Sequence, residues 1–298
     1  MLAFGENGPD NTCVLVSNGY TLRDQARRGL LPGVPRQITF ADPVTRGTWK
    51  TAFPARSGDL LQLRDLEQGL EQMKRVSSQD VDMKIEPTDM PGESDVVITV
   101  KRAKPRSVVA STDNSANRAT GKLHGNLSLG IDNPVGLNDF FNVGVSQDLE
   151  FADKRFGSHG WNGFYSVPWG CWAGTLSAYT NTYYRQIAGV NETLLSRDNS
   201  QTVDFKLQRV IRRSQNDVLG VQFRLTKRFG ASFIEDIDNP QRRRNNPFIE
   251  AGLTDRHYFG ASQFDGSLAY RQGIGGPGGT PDYPPMARHT AFTWPSLT

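Results

Sequence analysis

Residues 123–131 read Leu123-His124-Gly125-Asn126-Leu127-Ser128-Leu129-Gly130-Ile131. The odd positions are aliphatic apart from Gly125, and the even ones carry His, Asn, Ser and Gly. A period of two marks a strand with one apolar and one polar face. The same alternation returns in Phe141, Val143, Val145 and Leu149, then in Val203, Phe205 and Leu207, and again in Val221, Phe223 and Leu225. Two architectures satisfy it. In a soluble sandwich the apolar face meets a second sheet; in a transmembrane barrel it meets lipid while the polar face lines a wet lumen.

Working outward, helical signals disappear after Pro105. Nine strand candidates follow, near 106–112, 121–131, 139–151, 158–168, 172–186, 201–213, 217–234, 247–257 and 259–271. Several exceed the usual soluble strand and reach the ~9–11 residues that cross a bilayer. Long polar links (113–120, 152–157, 188–200, 235–246) alternate with tight turns (133–136, 168–170, 214–217, 256–260), as external loops alternate with periplasmic turns in outer-membrane barrels. Trp161, Tyr165, Trp169, Trp172, Tyr179, Tyr183 and Tyr184 cluster near strand ends, as interface girdles do.

Before Pro105 the pattern changes. Residues 1–30 show no clear period. Ile38 and Phe40 flank Thr39 in a short strand, and Leu63, Leu66, Leu70 and Met73 lie at helical spacing with charges between them. Val81, Met83 and Ile85 alternate with Asp82 and Lys84, and Pro91-Gly92-Glu93 turns into a further strand at 95–101. The expectation is a small α+β module in which Leu66, Leu70 and Met73 pack on Ile38, Phe40, Val81, Met83 and Val97.

Composition agrees with a hollow barrel. Hydrophobic residues are 37% of the 298, lean for an enclosed core of that size, and glycine is frequent at 30. A net charge of +3, from 34 basic and 31 acidic residues, gives little support for nucleic-acid binding. No run is long enough for a membrane-spanning helix. Cys13 and Cys171 stand far apart and read by default as two unpaired thiols. The first ten residues lack a basic n-region and an apolar h-region, so no signal peptide is recognisable.

Catalytic constellations do not emerge. His124, His159, His257 and His289 make no metal-ligand spacing. Ser158, His159 and Asp153 are close in sequence, but no Gly-x-Ser-x-Gly elbow accompanies them, so a polar loop outweighs an outer-membrane hydrolase. The glycine-rich run 273–279 precedes prolines rather than a helix, which removes a nucleotide cradle. Neither a catalytic residue, a metal nor a cofactor is expected. Arg242-Arg243-Arg244 reads as a solvated external loop, or as a contact for lipopolysaccharide phosphates or client.

Ala52-Phe53-Pro54, the run Gly58-Asp59-Leu60-Leu61-Gln62-Leu63-Arg64-Asp65-Leu66-Glu67-Gln68-Gly69-Leu70, and Met73-Lys74-Arg75-Val76-Ser77-Ser78-Gln79 resemble the second POTRA domain of two-partner secretion transporters. These are the hemolysin secretion/activation proteins of Gram-negative outer membranes. Pro91 to Val97, Asp132-Asn133-Pro134-Val135-Gly136-Leu137, Tyr165-Ser166-Val167-Pro168-Trp169-Gly170, Ala188-Gly189-Val190-Asn191 and Gln241-Arg242-Arg243-Arg244 continue the resemblance in the family's order, over roughly residues 31–275.

The resemblance implies a remnant over 1–30, a POTRA domain over 31–104, the N-terminal part of an outer-membrane β-barrel over 105–275 and an irregular Pro/Gly-rich tail over 276–298. The fold class expected is thus an α+β POTRA domain followed by an antiparallel transmembrane β-barrel, incomplete at about nine of the family's sixteen strands. The implied function is translocation of a partner exoprotein (a hemolysin, adhesin or contact-dependent toxin with an N-terminal secretion domain) across the outer membrane. No nucleotide is consumed. The POTRA domain lies in the periplasm, with Arg64, Asp65, Glu67 and Gln68 as client-binding candidates, and lipid and lipopolysaccharide surround the barrel. Without the family's plug helix, first POTRA domain and lid loop, the chain reads as truncated. The alternative is a non-transporting, β-rich client-binding module.

Overall fold

The computed structural model describes residues 34–274, apart from short breaks at 43–46, 58, 60–61, 90–92, 115–120, 151–156, 215 and 261, together with a strand at 289–293. The reading of residues 1–30, and parts of the Pro91-Gly92 turn, the 113–120 and 152–157 links and the 273–279 glycine run, fall outside the described residues.

Ile38 and Phe40 alternate with exposed neighbours in β1 (Val34–Phe40), the amphipathic run forms α1 (Leu63–Lys74), and β2 (Gln79–Pro87) and β3 (Glu93–Arg102) follow. β3 lies in the centre, parallel to β1 and antiparallel to β2. Ile38 stands opposite Val96, Val81 opposite Val100, and Met83 opposite Ile98, so one face of the sheet is apolar. Leu66 and Met73 press onto that face with Ala52, Phe53 and Ala55 from the segment before the helix; Leu70 packs at its margin. Val97 departs from expectation: it pairs with Thr39 and Lys84 on the opposite face, and Val96 and Ile98 take the core positions.

α1 stops at Arg75, beyond which Val76 is buried and the Gln79 amide donates back to the Met73 carbonyl at 2.8 Å. One of the helix's orphan C-terminal acceptors is thereby satisfied. At the middle of the helix, Gly69 admits the Phe53 ring. A Cβ built there would sit 2.3 Å from it.

The second sheet runs in sequence order from β4 (Arg106–Asp113) through β5 (His124–Asp132), β6 (Phe140–Asp148), β7 (Ser158–Trp169), β8 (Trp172–Ala188), β9 (Thr193–Arg213) and β10 (Asp217–Ile234). It continues through β12 (Arg244–Phe259), β13 (Ser262–Gly273) and β14 (His289–Thr293), with the two-residue β11 (Ile237–Asp238) folded back on β10. Every pairing is antiparallel, and among the described residues the edges β4 and β14 do not pair with each other. All nine expected strands are present. β14 adds one inside the tail expected to be irregular.

Two links expected to be long are hairpin extensions instead. β8 and β9 zip up to a four-residue turn at 189–192. β10 turns into β11 through Glu235 and Asp236, both at positive φ (51° and 61°), as a two-residue hairpin of type I′ requires.

Register places the apolar residues on one face. Leu127 stands opposite Val145, Val145 opposite Trp161, Leu207 opposite Phe223, and Leu225 opposite Phe205 and Ile249. Leu127, Phe205, Phe223 and Leu225 are 49%, 42%, 44% and 42% exposed, with no second sheet over them among the described residues. Open apolar surface of this extent is the reverse of a soluble sandwich and the form of a lipid-facing barrel wall. The opposite face carries Asn126, Ser128, Asn142, Ser146, Thr202, Asp204, Lys206, Arg224 and Glu250. Tyr179 and Tyr183, expected in the outer girdle, face this polar side through their pairing with Thr202 and Asp198.

Candidate functional site: the polar wall and its mouth

The module docks on one end of the barrel wall, and the contacts are polar. Asp132-Asn133-Pro134-Val135-Gly136-Leu137-Asn138-Asp139 makes the β5–β6 turn, with Asn133, Gly136 and Asn138 at positive φ. Asp139, fully buried, holds the turn by accepting the backbone N–H groups of Val135 (3.2 Å) and Leu137 (3.1 Å) and the Tyr165 hydroxyl (2.9 Å). So shaped, the turn reaches the module. Thr48 N–H donates to the Gly136 carbonyl at 3.0 Å, the Asn138 amide donates to the Thr48 carbonyl at 2.6 Å, and Thr51 donates to the Leu137 carbonyl at 3.1 Å. At the β7–β8 turn, Gly170 N–H donates to the Thr51 carbonyl at 2.7 Å.

α1 lies across the mouth of the polar face. Gln72 donates to the Gly170 carbonyl at 3.1 Å, and Arg75 donates to Ser166 Oγ at 2.9 Å, on the lumen side of β7. Arg213, at the end of β9, donates to Gln68 Oε1 at 3.1 Å and pairs with Glu71, which Arg256 of β12 also approaches at 3.6 Å. Burial among these groups pulls the Arg75 guanidinium below its ordinary value, with Glu71 acting in the opposite sense. A cavity of about 630 Å³ lies between helix and wall, bounded by Glu71, Arg75, Arg209, Arg213 and Asp265. Cys171 lines it too, and is disulfide-bonded rather than a free thiol. The chain's other cysteine, Cys13, lies outside the described residues.

Of the four client-binding candidates, Arg64 and Glu67 are partly exposed. Asp65 is buried, and Gln68 is buried in its bond to Arg213. The helix therefore turns Gln68, Glu71, Gln72 and Arg75 toward the lumen. Helical spacing indicated a polar face but could not show that its deeper half meets a barrel mouth. Ser158 bonds His124 (3.0 Å) rather than His159, and Asp153 lies outside the described residues. Arg243 pairs with Asp238 at the end away from the module. No group of metal-binding side chains occurs among the described residues, and no described helix is long and apolar enough to cross a membrane.

Up the lumen, two of the wall cations pair with wall anions. Arg224 lies 3.6 Å from Asp204, and Arg271 lies 2.7 Å from Glu250. A face of this kind offers water and side-chain hydrogen bonds along its length while burying little apolar surface.

Comparison with known proteins agrees with this architecture. The profile of the family described as haemolysin secretion/activation protein ShlB/FhaC/HecB matches residues 92–296, and a POTRA domain profile matches residues 36–87. Outer membrane transporter CdiB-2 of Burkholderia pseudomallei (strain 1026b) is 65% identical over 269 residues, 90% of this chain and 46% of that protein. Outer membrane transporter CdiB of Dickeya dadantii (strain 3937) is 32% identical over 75% of this chain and 40% of its own length. Among solved structures, CdiB from Escherichia coli superposes with a TM-score of 0.79 at 25% identity, over 85% of this chain and 47% of that one. CdiB from Acinetobacter baumannii gives 0.72 at 30% identity, over 81% and 46%. The chain thus spans about half the length of the relatives it matches.

Proposed function

The chain belongs to the haemolysin secretion/activation protein family, and from that premise we propose that it serves the export of a partner polypeptide across the Gram-negative outer membrane. One observation carries the reading. The sheet is apolar on its outer face and polar on its inner face, and the POTRA helix lies over the mouth of the polar side alone. In this proposal the module stands in the periplasm and receives the client, an exoprotein with an N-terminal secretion domain. The lumen face then passes it outward. Arg64 and Glu67 are the helix positions within a client's reach, while Gln68 acts at the mouth. Lipid and lipopolysaccharide meet the outer face.

A hydrated extended chain needs a path that neither grips apolar side chains nor leaves backbone groups unsolvated, and a polar wall with paired charges is such a path. The disulfide at Cys171 agrees with an oxidising compartment such as the periplasm. The test is fractionation joined to an export assay. Recovery in the outer membrane, with release of the partner into the medium dependent on this chain, is the expected result. Recovery as a soluble monomer would favour the non-transporting client-binding module.

A further inference from the structure

At the end of the lumen away from the module, the wall gathers several cations into one cluster. Register sets Arg228 beside Thr202 and Arg244 beside Gly230, on the polar face, and Arg242 closes over them from a single 3-10 turn, Pro240–Arg242. With Arg185 they border a cavity of about 600 Å³. Asp198 lies 3.4 Å from Arg185, but Arg228, Arg242 and Arg244 form no ion pair among the described residues. The hydroxyls of Thr202 and Ser232, which line the same cavity and are 2% and 3% exposed, likewise have no hydrogen-bond partner there.

We propose that this cavity is an anion-binding subsite for acidic stretches of an extended polypeptide in the lumen. The inference rests on the transport reading and names the chemistry of one segment of the cargo. Three unneutralised guanidiniums bind carboxylates as forked donors. The buried Thr202 and Ser232 hydroxyls supply hydrogen bonds that backbone amides and carbonyls complete, and Tyr179 and Tyr183 beside them give aromatic walls for side chains between the acids. Phosphate-bearing lipid is the poorer occupant, because the cluster faces away from the apolar band that meets lipid. Farther down, Asp204 and Glu250 pair with Arg224 and Arg271, and Lys206 stands as a single cation rather than a cluster, so carboxylates would be held more strongly at this end than along the rest of the path.

The test uses the chain in detergent and a fluorescent oligo-glutamate peptide, with oligo-glutamine and inorganic tripolyphosphate as comparisons. Binding of oligo-glutamate over oligo-glutamine is expected, weakening with salt. In the Arg228→Gln/Arg244→Gln double variant binding should fall by roughly tenfold or more, the scale of losing charge-assisted hydrogen bonds. Arg228→Lys/Arg244→Lys should keep much of it, and Arg212→Gln, at the opposite end, should change nothing. Heat-modifiable mobility on gels checks that each variant is folded. Equal binding to both peptides, unchanged binding in the folded double variant, or tripolyphosphate binding without oligo-glutamate binding would each overturn the proposal, the last assigning the site to phosphate. The assay involves no export, so its failure leaves the transport reading to its own test.

Discussion

The carboxylate of Asp132, the last residue of β5, accepts the backbone N–H of Ser78 at 2.7 Å and the Ser77 hydroxyl at 2.9 Å. These bonds fix the segment just after α1 to the barrel wall, and Asp132 is only 7% exposed. Asp132→Ala leaves the Ser78 donor without its partner at a cost of about 1–3 kcal/mol. Hydrogen–deuterium exchange at residues 76–78 should then speed up while exchange across β2 and β3 stays unchanged. Unaltered exchange at Ser78 would show that the bond does not hold the junction.

Gly69→Ala is expected to weaken the POTRA module even though alanine is the better helix former by about 1 kcal/mol. The added methyl meets the Phe53 ring at 2.3 Å, and Phe53 is itself a buried core residue. Overpacking of this kind costs ~1–3 kcal/mol. Leu66→Ala, at a fully buried position, should cost ~2–5 kcal/mol by cavity formation. Thermal melts of the two variants measure both losses, and a Gly69→Ala protein more stable than wild type would contradict the packing described.

Period-two alternation gave nearly all of the wall, because each strand is apolar on one side only and a one-residue slip would reverse it. Val97 departs from its expected face for the opposite reason. In Val96-Val97-Ile98-Thr99-Val100 the apolar residues sit on both phases, and only pairing with Ile38 and Ile85 selects Val96. The extra length of β9 was hidden because Arg197, Asp198 and Ser200 look like loop residues. They are polar because they belong to strands continuing past the apolar band. The docking of α1 could not be read locally at all: Arg213 and Arg256 lie far along the chain from Glu71 and meet it only through the fold.

Glu71 stands between Arg213 and Arg256, so reversing its charge sets three cations together at the mouth. Glu71→Arg should loosen the helix from the wall. Glu71 is 41% exposed, so solvent screening limits the effect to ~1 kcal/mol. Adding Arg213→Glu should restore part of it. A double-mutant cycle on denaturant midpoints reads the coupling, and strictly additive losses would show that the pair contributes nothing.

Cys171 is disulfide-bonded and 2% exposed, and Cys13 is the one other cysteine in the chain. The expected linkage is within the chain. Non-reducing digestion should yield a single cross-linked peptide containing both cysteines, lost on reduction and in Cys171→Ser. A disulfide-linked dimer on non-reducing gels would instead place the second sulfur in another copy.

Leu127 and Ser128 are adjacent in β5 but face opposite media. Leu127 stands opposite Val145 on the apolar side, whereas Ser128 stands opposite Gly144 on the polar side. Arginine at a lipid-facing position near mid-membrane costs ~2–4 kcal/mol, because the guanidinium must leave water or drag it in. The same side chain in a wet lumen keeps its hydration. Leu127→Arg should therefore lower the folded fraction in lipid vesicles and heat-modifiable mobility on gels, while Ser128→Arg should fold with near wild-type yield. Equal losses in both variants, or a larger one for Ser128→Arg, would mean that the polar face is the covered one and that the outer wall has been assigned to the wrong side.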